Sequence, residues 1–407
     1  MSANNYNSYE EQLYQSSRDS KDLPVPGELA QQHSKKLIAK IKSDIDNNDG
    51  AISFQRYMEQ VLYAPGLGYY AAGSEKLGEA GDFVTAPEIT PLFSHALAKA
   101  IIPAINKENI ILEVGAGRGR MAADILVYLQ QQNKLPKEYW ILELSADLRE
   151  RQKNTIKETI PEFLQQVKWL DNLPEQFSGV VLANELLDAM PVQIFQKSNN
   201  DINNVNVSWK DDKFVFQLQS SFDQRLIMRV KDIEDELGQA LPAGYLSEVN
   251  FAAEDWIKSI AEKLQSGIVV LIDYGFPRHE YYHEQRTQGT IMCHYRHRTH
   301  PDVFVYPGLQ DITAHVDFTA MADAALESGM RVMGYTNQAS FLMGAGLMEL
   351  ATENNNDGLI NELEVASQLK KLTLPHEMGE LFKVIGFRKN CDISLPAFEF
   401  RDLREYL

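Results

Sequence analysis

The stretch LEVGAGRGR, residues 112–120, places three glycines between an apolar run and a helical pattern. Glycine lets a backbone turn sharply and lets a ligand approach it closely. The first turn of a helix adds amide donors that have no partner within the helix. A strand, a glycine turn and a helix in this order predict a pocket for a nucleotide-type cofactor.

Two cofactor classes compete for this turn. The dinucleotide fingerprint G-x-G-x-x-G/A is matched at Gly115 and Gly117, but Arg120 occupies its third position. A side chain there would obstruct the close packing of helix on strand that the third glycine permits, which disfavours an NAD-linked oxidoreductase. The alternative pattern, acid-x-G-x-G-x-G, is matched at every position from Glu113 to Gly119. It resembles the motif of class I methyltransferases, in which the acid interacts with the amino-acid end of S-adenosylmethionine.

Short apolar runs alternate with helical patterns around the glycine turn. Strand-like runs occupy residues 109–114, 139–144, 167–170, 179–184 and 267–275. Near-continuous apolar strands separated by helices are typical of a parallel sheet that is covered on both faces. The predicted fold is therefore α/β, with the Rossmann-like, mostly parallel sheet of class I methyltransferases.

The predicted domains follow from the same patterns. Residues 1–24 are polar and predict a disordered tail, and residues 25–106 predict a helical segment. The methyltransferase core is expected over residues 107–407, with an insertion at about 195–250 and a substrate-side segment at about 276–345.

Three expectations concern local structure in the second half of the chain. In the insertion, VNVSWKDDKFVFQLQ (205–219) alternates apolar and polar residues around a charged turn, which predicts a β-hairpin. Residues 276–312, rich in Gly, Tyr, His and Arg, are expected to be mostly loop. The run LFKVIGFRK (381–389) is expected to form an antiparallel strand at the sheet edge.

Composition and charge argue against several classes of function. The 407 residues carry a net charge of −18, which disfavours a nucleic-acid partner because phosphate binding needs basic faces. The polar start is unlike a signal peptide, and no run approaches the roughly 20 apolar residues that span a bilayer. Cys293 and Cys391 lie far apart, so neither a disulfide framework nor a cysteine metal pair is expected. These features predict a cytoplasmic protein without membrane insertion and without a bound metal.

Polar side chains follow the second and third predicted strands, where ligands bind in open α/β sheets. Glu143, 24 residues beyond Gly119, could accept two ribose hydroxyl protons. Asp171 and Asn172, after the third strand, could contact an adenine edge or form a simple polar turn.

The fourth and fifth strands end in further polar residues. Asn184, Glu185 and Asp188 follow the fourth strand, and Asp273 ends the fifth. Asn184 is predicted to contact the cofactor. Two carboxylates three residues apart face one side of a turn or short helix, where they are either functional or simple capping residues.

Seven blocks in order resemble the MidA family of S-adenosylmethionine-dependent methyltransferases, from about residue 23 to the C-terminus. These blocks are YMEQVLYAPGLGYY, GDFVTAPEITPLF, LEVGAGRGR, NELLDAMPV, LIDYG, YPGLQDITAHVDF and MGELFKVI. The mitochondrial members of this family assist assembly of respiratory complex I by methylating an arginine on a core subunit. The resemblance therefore implies S-adenosyl-L-methionine as cofactor and a protein substrate, such as a respiratory enzyme subunit.

The resemblance also assigns residues near the cofactor. The stretch GDFVTAPEIT, which ends at Thr90, resembles the family's signature segment, which lies across the cofactor mouth. In that setting Gly81 would allow a tight approach and Pro87 would stiffen the turn. Thr85 and Glu88 would offer polar contacts, although Thr85 or Thr90 could equally cap the helix that follows.

An arginine nucleophile calls for carboxylates, because its guanidinium arrives charged and is held by paired hydrogen bonds. Glu185 and Asp188 are the first candidates for this catalytic role, followed by Asp273 and Glu248. Methyl transfer depends on proximity and orientation and requires neither a metal nor a covalent intermediate. The alternative function is a non-catalytic assembly factor that binds S-adenosylmethionine structurally. A homodimer is compatible with the sequence.

Overall fold

The computed structural model describes residues 23–71, 84–199, 201–353 and 359–407, without the side chains of 359–361. These residues form two compact units. Unit 1 contains the described residues of Met1–Phe83, Ala189–Ala252 and Arg278–His315, and unit 2 those of Val84–Asp188, Ala253–Pro277 and Val316–Leu407. The insertion expected at about 195–250 lies within unit 1, and most of the predicted tail lies outside the described residues.

The strands, numbered along the chain, are short except for β5, β7, β8, β10 and β16. They are β1 Ala51–Ser53, β2 Ile110–Val114, β3 Glu138–Leu142, β4 Val167–Leu170, β5 Phe177–Asn184, β6 Gln193–Lys197, β7 Ile202–Lys210, β8 Lys213–Ser220, β9 Leu246–Val249, β10 Leu264–Phe276, β11 Met292–Tyr295, β12 Arg298–His300, β13 Asp311–Thr313, β14 Val316–Asp317, β15 Arg331–Asn337 and β16 Phe382–Lys389.

The α-helices are numbered in the same way. They are α1 Glu28–Asp46, α2 Phe54–Tyr63, α3 Ala86–Ile89, α4 Pro91–Ile101, α5 Arg120–Gln131, α6 Ala146–Thr159, α7 Gln224–Leu237, α8 Phe251–Lys263, α9 Arg278–Tyr281, α10 Phe318–Glu327, α11 Gln338–Gly344, α12 Leu347–Glu353, α13 Leu359–Thr373 and α14 Met378–Leu381.

Unit 2 is built on an eight-stranded sheet. Its order is β15-β16-β10-β5-β2-β3-β4, and the short β14 pairs with the end of β10. Strands β10, β5, β2, β3 and β4 are parallel neighbours, whereas β16 runs antiparallel to both β10 and β15. The predicted α/β fold with a mostly parallel sheet is confirmed.

The apolar runs at the centre of this sheet are buried along most of their length. All five residues of β2 are buried, as are Met121, Ile125 and Leu129 on α5. Full burial of a Leu or Ile side chain contributes about 1.5–3 kcal/mol. The carboxyl ends of β2, β3, β4, β5 and β10 consequently share one edge of the sheet, where the polar residues follow.

The last strand, β16, is antiparallel as predicted, but the expectation that it forms the sheet edge is wrong. It pairs with β10 on one side and with β15 on the other. Gly334 and Gly386 make room for a ring there, since a Cβ on Gly334 would come within 2.1 Å of Phe398 Cγ. The outer strand has the sequence RVMGYTN, whose glycine and polar residues interrupt any apolar run.

Unit 1 holds two smaller sheets. One has the order β1-β7-β6-β9 with β8 paired to β7, and the other has the order β12-β11-β13. The predicted hairpin is confirmed as β7 and β8, joined by Asp211 and Asp212 with φ angles of 50° and 58°. Two positive φ angles in a two-residue loop are the geometry of a type I′ turn.

Residues 276–312 are mostly loop, as expected, but regular elements interrupt them. This segment contains α9 and the strands β11 and β12, and it reaches the start of β13. Strands β11 and β12 form a hairpin around Arg296 and His297, whose φ angles are 48° and 60°. Strands of three or four residues are too short to produce a readable period.

Two further features concern the described part of the chain as a whole. Within residues 23–71, 84–199, 201–353 and 359–407, no three or more His, Cys, Asp and Glu side chains are grouped to hold a metal ion. Among the helices described, none combines the length and the apolar character needed to cross a membrane.

Candidate functional site

The glycine turn between β2 and α5 is left-handed at three positions. Gly115, Gly117 and Gly119 have φ angles of 72°, 51° and 83°. A Cβ on Gly119 would lie 3.1 Å from Cα of Gln152, and a Cβ on Gly115 would lie 3.1 Å from Cδ1 of Leu186. Any residue with a side chain would be strained at these positions. With glycine there, no side chain separates the backbone of the turn from a ligand.

Gln152 of α6 ties this turn to the second strand end. The side chain is fully buried, and its Nε2 donates to Gly117 O at 3.0 Å and to Oε2 of Glu143 at 3.1 Å. Its Oε1 accepts from the Trp169 ring nitrogen of β4 at 3.0 Å. One amide therefore sets the distance between the glycine turn and the Glu143 carboxylate.

Glu143 lies directly after β3, where an acid for ribose is predicted. It is 8% exposed, and its Oε1 accepts from the backbone N–H of Ser145 at 2.8 Å. Burial raises its pKa, although the donors of Ser145 and Gln152 oppose that change. Each carboxylate oxygen has two acceptor sites, so the oriented group can still receive two hydroxyl protons.

Glu113 lies beneath the glycine turn in β2. It is 1% exposed, and its Oε2 accepts from the Tyr139 hydroxyl of β3 at 2.6 Å. Its pKa is raised to about 7, mainly by burial and to a smaller extent by the charge of Glu143, against the effect of the Tyr139 hydrogen bond. The carboxyl group thus joins two adjacent strands at the base of the turn.

The predicted adenine residues after β4 are exposed. The Asp171 side chain is 80% exposed and pairs with Arg149 Nη2 at 2.8 Å, and Asn172 is exposed beside it. Arg149 also donates to the carbonyl oxygens of Glu143 at 2.5 Å and Leu170 at 2.6 Å. It therefore joins the ends of β3 and β4.

The sequence reasoning missed Arg149 and Gln152. A signal was present, since these two polar residues lie three apart on α6, the helix that follows Glu143. Residues at that spacing share a helix face, which here points to the strand ends.

The fourth predicted strand, β5, ends in a strained turn. Glu185 has a φ of 51°, which is uncommon for a residue with a side chain, and its N–H donates to Ile272 O at 2.9 Å. Asn184, 8% exposed, donates from Nδ2 to Oε1 of Glu185 at 3.0 Å. Strain of this kind clusters at functional sites.

Asp273 of β10 holds this turn in place. It is 1% exposed, and its Oδ2 accepts from the backbone N–H groups of Leu186, Leu187 and Asp188 at 3.1, 2.9 and 3.3 Å. Its burial, followed by the nearby charges of Asp188 and Glu185, raises its pKa well above the ordinary range. The structure thus brings together all three predicted catalytic carboxylates, with Asp273 turned to the backbone.

The neighbouring Tyr274 contacts the last of these acids. Its hydroxyl donates to Oδ2 of Asp188 at 2.6 Å, and Asp188 is 5% exposed. Sequence reasoning included Tyr274 only as part of a motif, because a strand pattern does not show which acid its hydroxyl reaches.

The signature segment is described from Val84 onward, so the predicted contact at Gly81 lies outside the described residues. Thr85, half-buried, comes directly before α3, in which Pro87 is buried and Glu88 is half-buried. Helix α3 is followed by Thr90, which caps α4.

Two polar contacts near α3 involve α4 and α5. Thr90 Oγ1 accepts from Leu92 N at 3.4 Å, so the capping alternative holds for Thr90. Glu88 lies near Asp124 of α5, whose pKa is raised to about 6, mainly by burial and to a smaller extent by the Glu88 charge. Asp124 also accepts from Arg120 Nε at 3.1 Å. The Arg120 side chain therefore pairs with a residue of its own helix, α5.

Glu248, the remaining candidate carboxylate, belongs to unit 1. It is 2% exposed in β9, and its Oε1 accepts from the Tyr281 hydroxyl and the Thr290 N–H, both at 2.8 Å. The Thr290 hydroxyl contacts the same oxygen. These bonds join β9 to α9 and to the segment that follows it.

The residues around the glycine turn fit S-adenosylmethionine. The three left-handed glycines form a cradle that a Cβ at Gly115 or Gly119 would crowd. Glu143 is a buried, oriented carboxylate at the position suited to the ribose hydroxyls. Neither feature requires a pyrophosphate group.

The chain is similar to known proteins along most of its length. A family model for S-adenosyl-L-methionine-dependent methyltransferases matches residues 97–336, more than half of the chain. A protein from Burkholderia thailandensis crystallised with S-adenosyl-homocysteine is 43% identical, with 95% of this chain and 100% of that chain covered at a TM-score of 0.90. The mitochondrial protein arginine methyltransferase NDUFAF7 of Mus musculus is 30% identical over 85% of this chain and 82% of that protein. The human protein of the same name is 28% identical over 85% and 81%.

These similarities confirm the cofactor and the enzyme class that the glycine turn and the motif blocks predicted. They agree with the parallel sheet of unit 2 and with the cradle at its carboxyl edge. The chain belongs to the family of S-adenosyl-L-methionine-dependent methyltransferases.

Proposed function

We propose that this methyltransferase modifies an arginine of a protein by transferring a methyl group to a guanidinium nitrogen. The similarity to proteins named protein arginine methyltransferase supports this proposal. The observation that carries it is the acidic turn after β5, where Glu185 and Asp188 lie close to Asp273. Such a turn suits a guanidinium, which has five N–H donors, no acceptor and a permanent charge.

The cofactor in this proposal lies against the glycine turn and the adjacent strand ends. Glu143 accepts hydrogen bonds from the ribose hydroxyls. Glu113, which lies beneath the turn, interacts with the amino-acid end of the cofactor. The proposed cofactor contacts also include Gly81, Thr85, Pro87, Glu88, Gly115, Gly117, Gly119, Asp171 and Asn172.

S-adenosylmethionine supplies an electrophilic methyl group on a sulfonium, which a nucleophile must approach in line with the breaking S–CH₃ bond. Glu185 and Asp188 hold the guanidinium by hydrogen bonds and draw its positive charge away from the attacking nitrogen. Orientation of this kind can supply roughly 7–11 kcal/mol of the barrier. The proton that leaves the nitrogen passes to a carboxylate of this turn.

Asp273 has a different part in the proposal. Its Oδ2 is engaged by three backbone amides of the turn, the shortest contact being 2.9 Å to Leu187 N. A carboxylate held in this way positions Glu185 and Asp188 and does not itself face the substrate. We therefore treat it as a positioning residue.

The finer target is an arginine of a respiratory complex I subunit or of a homologue of one, as the family resemblance implies. The relatives are named as mitochondrial proteins. For this chain the two distant cysteines, Cys293 and Cys391, favour a reducing compartment, and we propose the cytoplasm. A homodimer belongs to the same proposal and is checked by light scattering.

The test uses protein extract from cells that lack the gene, incubated with the enzyme and labelled S-adenosylmethionine. The wild type should produce methylarginine, measured by mass spectrometry. Glu185→Gln should retain S-adenosyl-homocysteine binding within about twofold and lose about 100-fold in transfer rate, a loss within the range of acid–base contributions. Near wild-type transfer by Glu185→Gln would show that Glu185 is not catalytic. A wild type that binds S-adenosyl-homocysteine but methylates nothing would favour the assembly-factor alternative.

A further inference from the structure

Asn184 ends β5 with a buried acceptor atom that lacks a donor. The side chain is 8% exposed, and within the described part of the chain no donor lies within hydrogen-bond distance of its Oδ1. A buried amide oxygen without a donor destabilises a protein, and natural proteins contain few of them. The atom therefore indicates a donor that arrives with a ligand.

The orientation of the amide follows from its nitrogen. Nδ2 lies 3.0 Å from Oε1 of Glu185, and an ionised carboxylate can only accept. A reversed amide would place two oxygen atoms against each other, so Oδ1 faces away from that contact. The left-handed Glu185, with a φ of 51°, holds the pair in this arrangement.

Two N–H donors can reach this edge of the sheet, the ammonium group of the cofactor and the guanidinium of an arginine. The acceptors on the successive residues Asn184 and Glu185 match the several N–H groups that one planar guanidinium presents. The cofactor's ammonium is already assigned a carboxylate, Glu113, by the class I motif. The arrangement thus favours the guanidinium.

We propose that Oδ1 of Asn184 accepts an N–H of the reacting guanidinium. This inference deepens the proposed arginine methylation and rests on it, and it replaces the cofactor contact that sequence position predicted for Asn184. The amide exchanges no proton. It orients the guanidinium so that one nitrogen faces the methyl group while Glu185 and Asp188 hold the others.

Asn184→Leu tests the assignment because it removes the amide and keeps the branched shape of the side chain. The variant gives up the unsatisfied Oδ1 but also the Nδ2 bond to Glu185, so its unfolding temperature should fall only modestly, as that of a control losing one side-chain hydrogen bond does. Its dissociation constant for S-adenosyl-homocysteine, measured by calorimetry, should stay within about twofold. Its methylarginine yield on extract from gene-deletion cells should fall by about tenfold or more, the discrimination expected when a site loses a substrate hydrogen bond.

Gln338→Leu is the matched control. Gln338 is fully buried, donates from Nε2 to Leu372 O at 3.1 Å, and like Asn184 has an amide oxygen without a donor in the described chain. It follows β15, three strand positions from β5, or roughly 14 Å across the sheet. This variant should change neither cofactor binding nor methylarginine yield.

Three results would overturn the assignment. A tenfold loss of S-adenosyl-homocysteine affinity in Asn184→Leu would show that Oδ1 of Asn184 contacts the cofactor and not the substrate. A marked loss of thermal stability that Gln338→Leu does not show would make Asn184 structural. An unchanged methylarginine yield would remove the substrate contact. The wild-type yield decides the proposed function separately, because a wild type without methylarginine rejects arginine methylation whatever the variants do.

Discussion

Tyr274 donates its hydroxyl hydrogen to Oδ2 of Asp188 at 2.6 Å, and Asp188 is only 5% exposed. The Tyr274 ring packs edge-on against Phe382, with the ring centroids 5.4 Å apart. The preceding residue, Asp273, accepts from three backbone amides of the turn that ends at Asp188. Asp273 therefore holds the acidic turn through the backbone amides of that turn, and Tyr274 holds it through the Asp188 side chain.

Tyr274→Phe should separate these two roles. The variant keeps the ring against Phe382 and loses a hydrogen bond to a carboxylate, a contribution of about 1.5–3 kcal/mol. Because the Asp188 side chain would lose the hydrogen bond from Tyr274 that orients it, we expect the methyl transfer rate to fall by about tenfold. The dissociation constant for S-adenosyl-homocysteine should stay within about twofold.

The control for this variant is Tyr128→Phe, which removes a hydroxyl from a tyrosine of α5 that is 7% exposed. It should leave the transfer rate unchanged. Equal rates for Tyr274→Phe and the wild type would mean that the hydrogen bond to Asp188 has no part in the reaction.

Gln152→Ala should weaken cofactor binding. The variant removes the bonds from Nε2 to Gly117 O and to Oε2 of Glu143, at 3.0 and 3.1 Å, so the glycine turn and the carboxylate are no longer held together. At roughly 1 kcal/mol for each lost bond, we expect the dissociation constant of S-adenosyl-homocysteine to rise by about 10- to 100-fold. Calorimetry measures this directly. Asn154→Ala, at an exposed position of the same helix, should bind as the wild type does, and equal affinities for the two variants would contradict the role of Gln152.

The parallel part of the fold could be predicted from the sequence because a strand buried on both faces is a near-continuous apolar run. The runs that became β2, β5 and the middle of β10 are apolar and buried over nearly their whole length, and helices or a long insertion separate each from the next. The outer strand β15 has no continuous apolar run, since Gly334 in its middle makes room for the Phe398 ring.

The site was predictable only where its chemistry follows from spacing along the chain. Glu113 and Glu143 could be located because each follows an apolar strand or lies within it. The contacts of Gln152, Arg149 and Tyr274 depend on which helix or strand residue faces which strand end. Tertiary packing decides that, and no periodicity within one element reports it.

The buried carboxyl group of Glu113 makes stability depend on pH. The pKa of Glu113 is about 7 in the folded protein, raised from an ordinary 4.5 mainly by burial. Between these two values the folded state binds more protons than the unfolded state, so this group's contribution is complete below about 4.5 and is lost as pH rises to about 7. The loss amounts to about 3 kcal/mol in the free energy of unfolding.

Glu113→Gln should remove this dependence, because the amide stays neutral and its oxygen can still accept from the Tyr139 hydroxyl. Without cofactor, the variant and the wild type should have similar free energies of unfolding in urea near pH 5, and the variant should be more stable by up to about 3 kcal/mol at pH 8. Asp124, whose pKa is raised to about 6, titrates in both proteins, so their difference isolates Glu113. Asp124→Asn should shift both curves alike. If the free energies of the wild type and Glu113→Gln change in parallel between pH 5 and pH 8, the Glu113 carboxyl group is already ionised throughout that range.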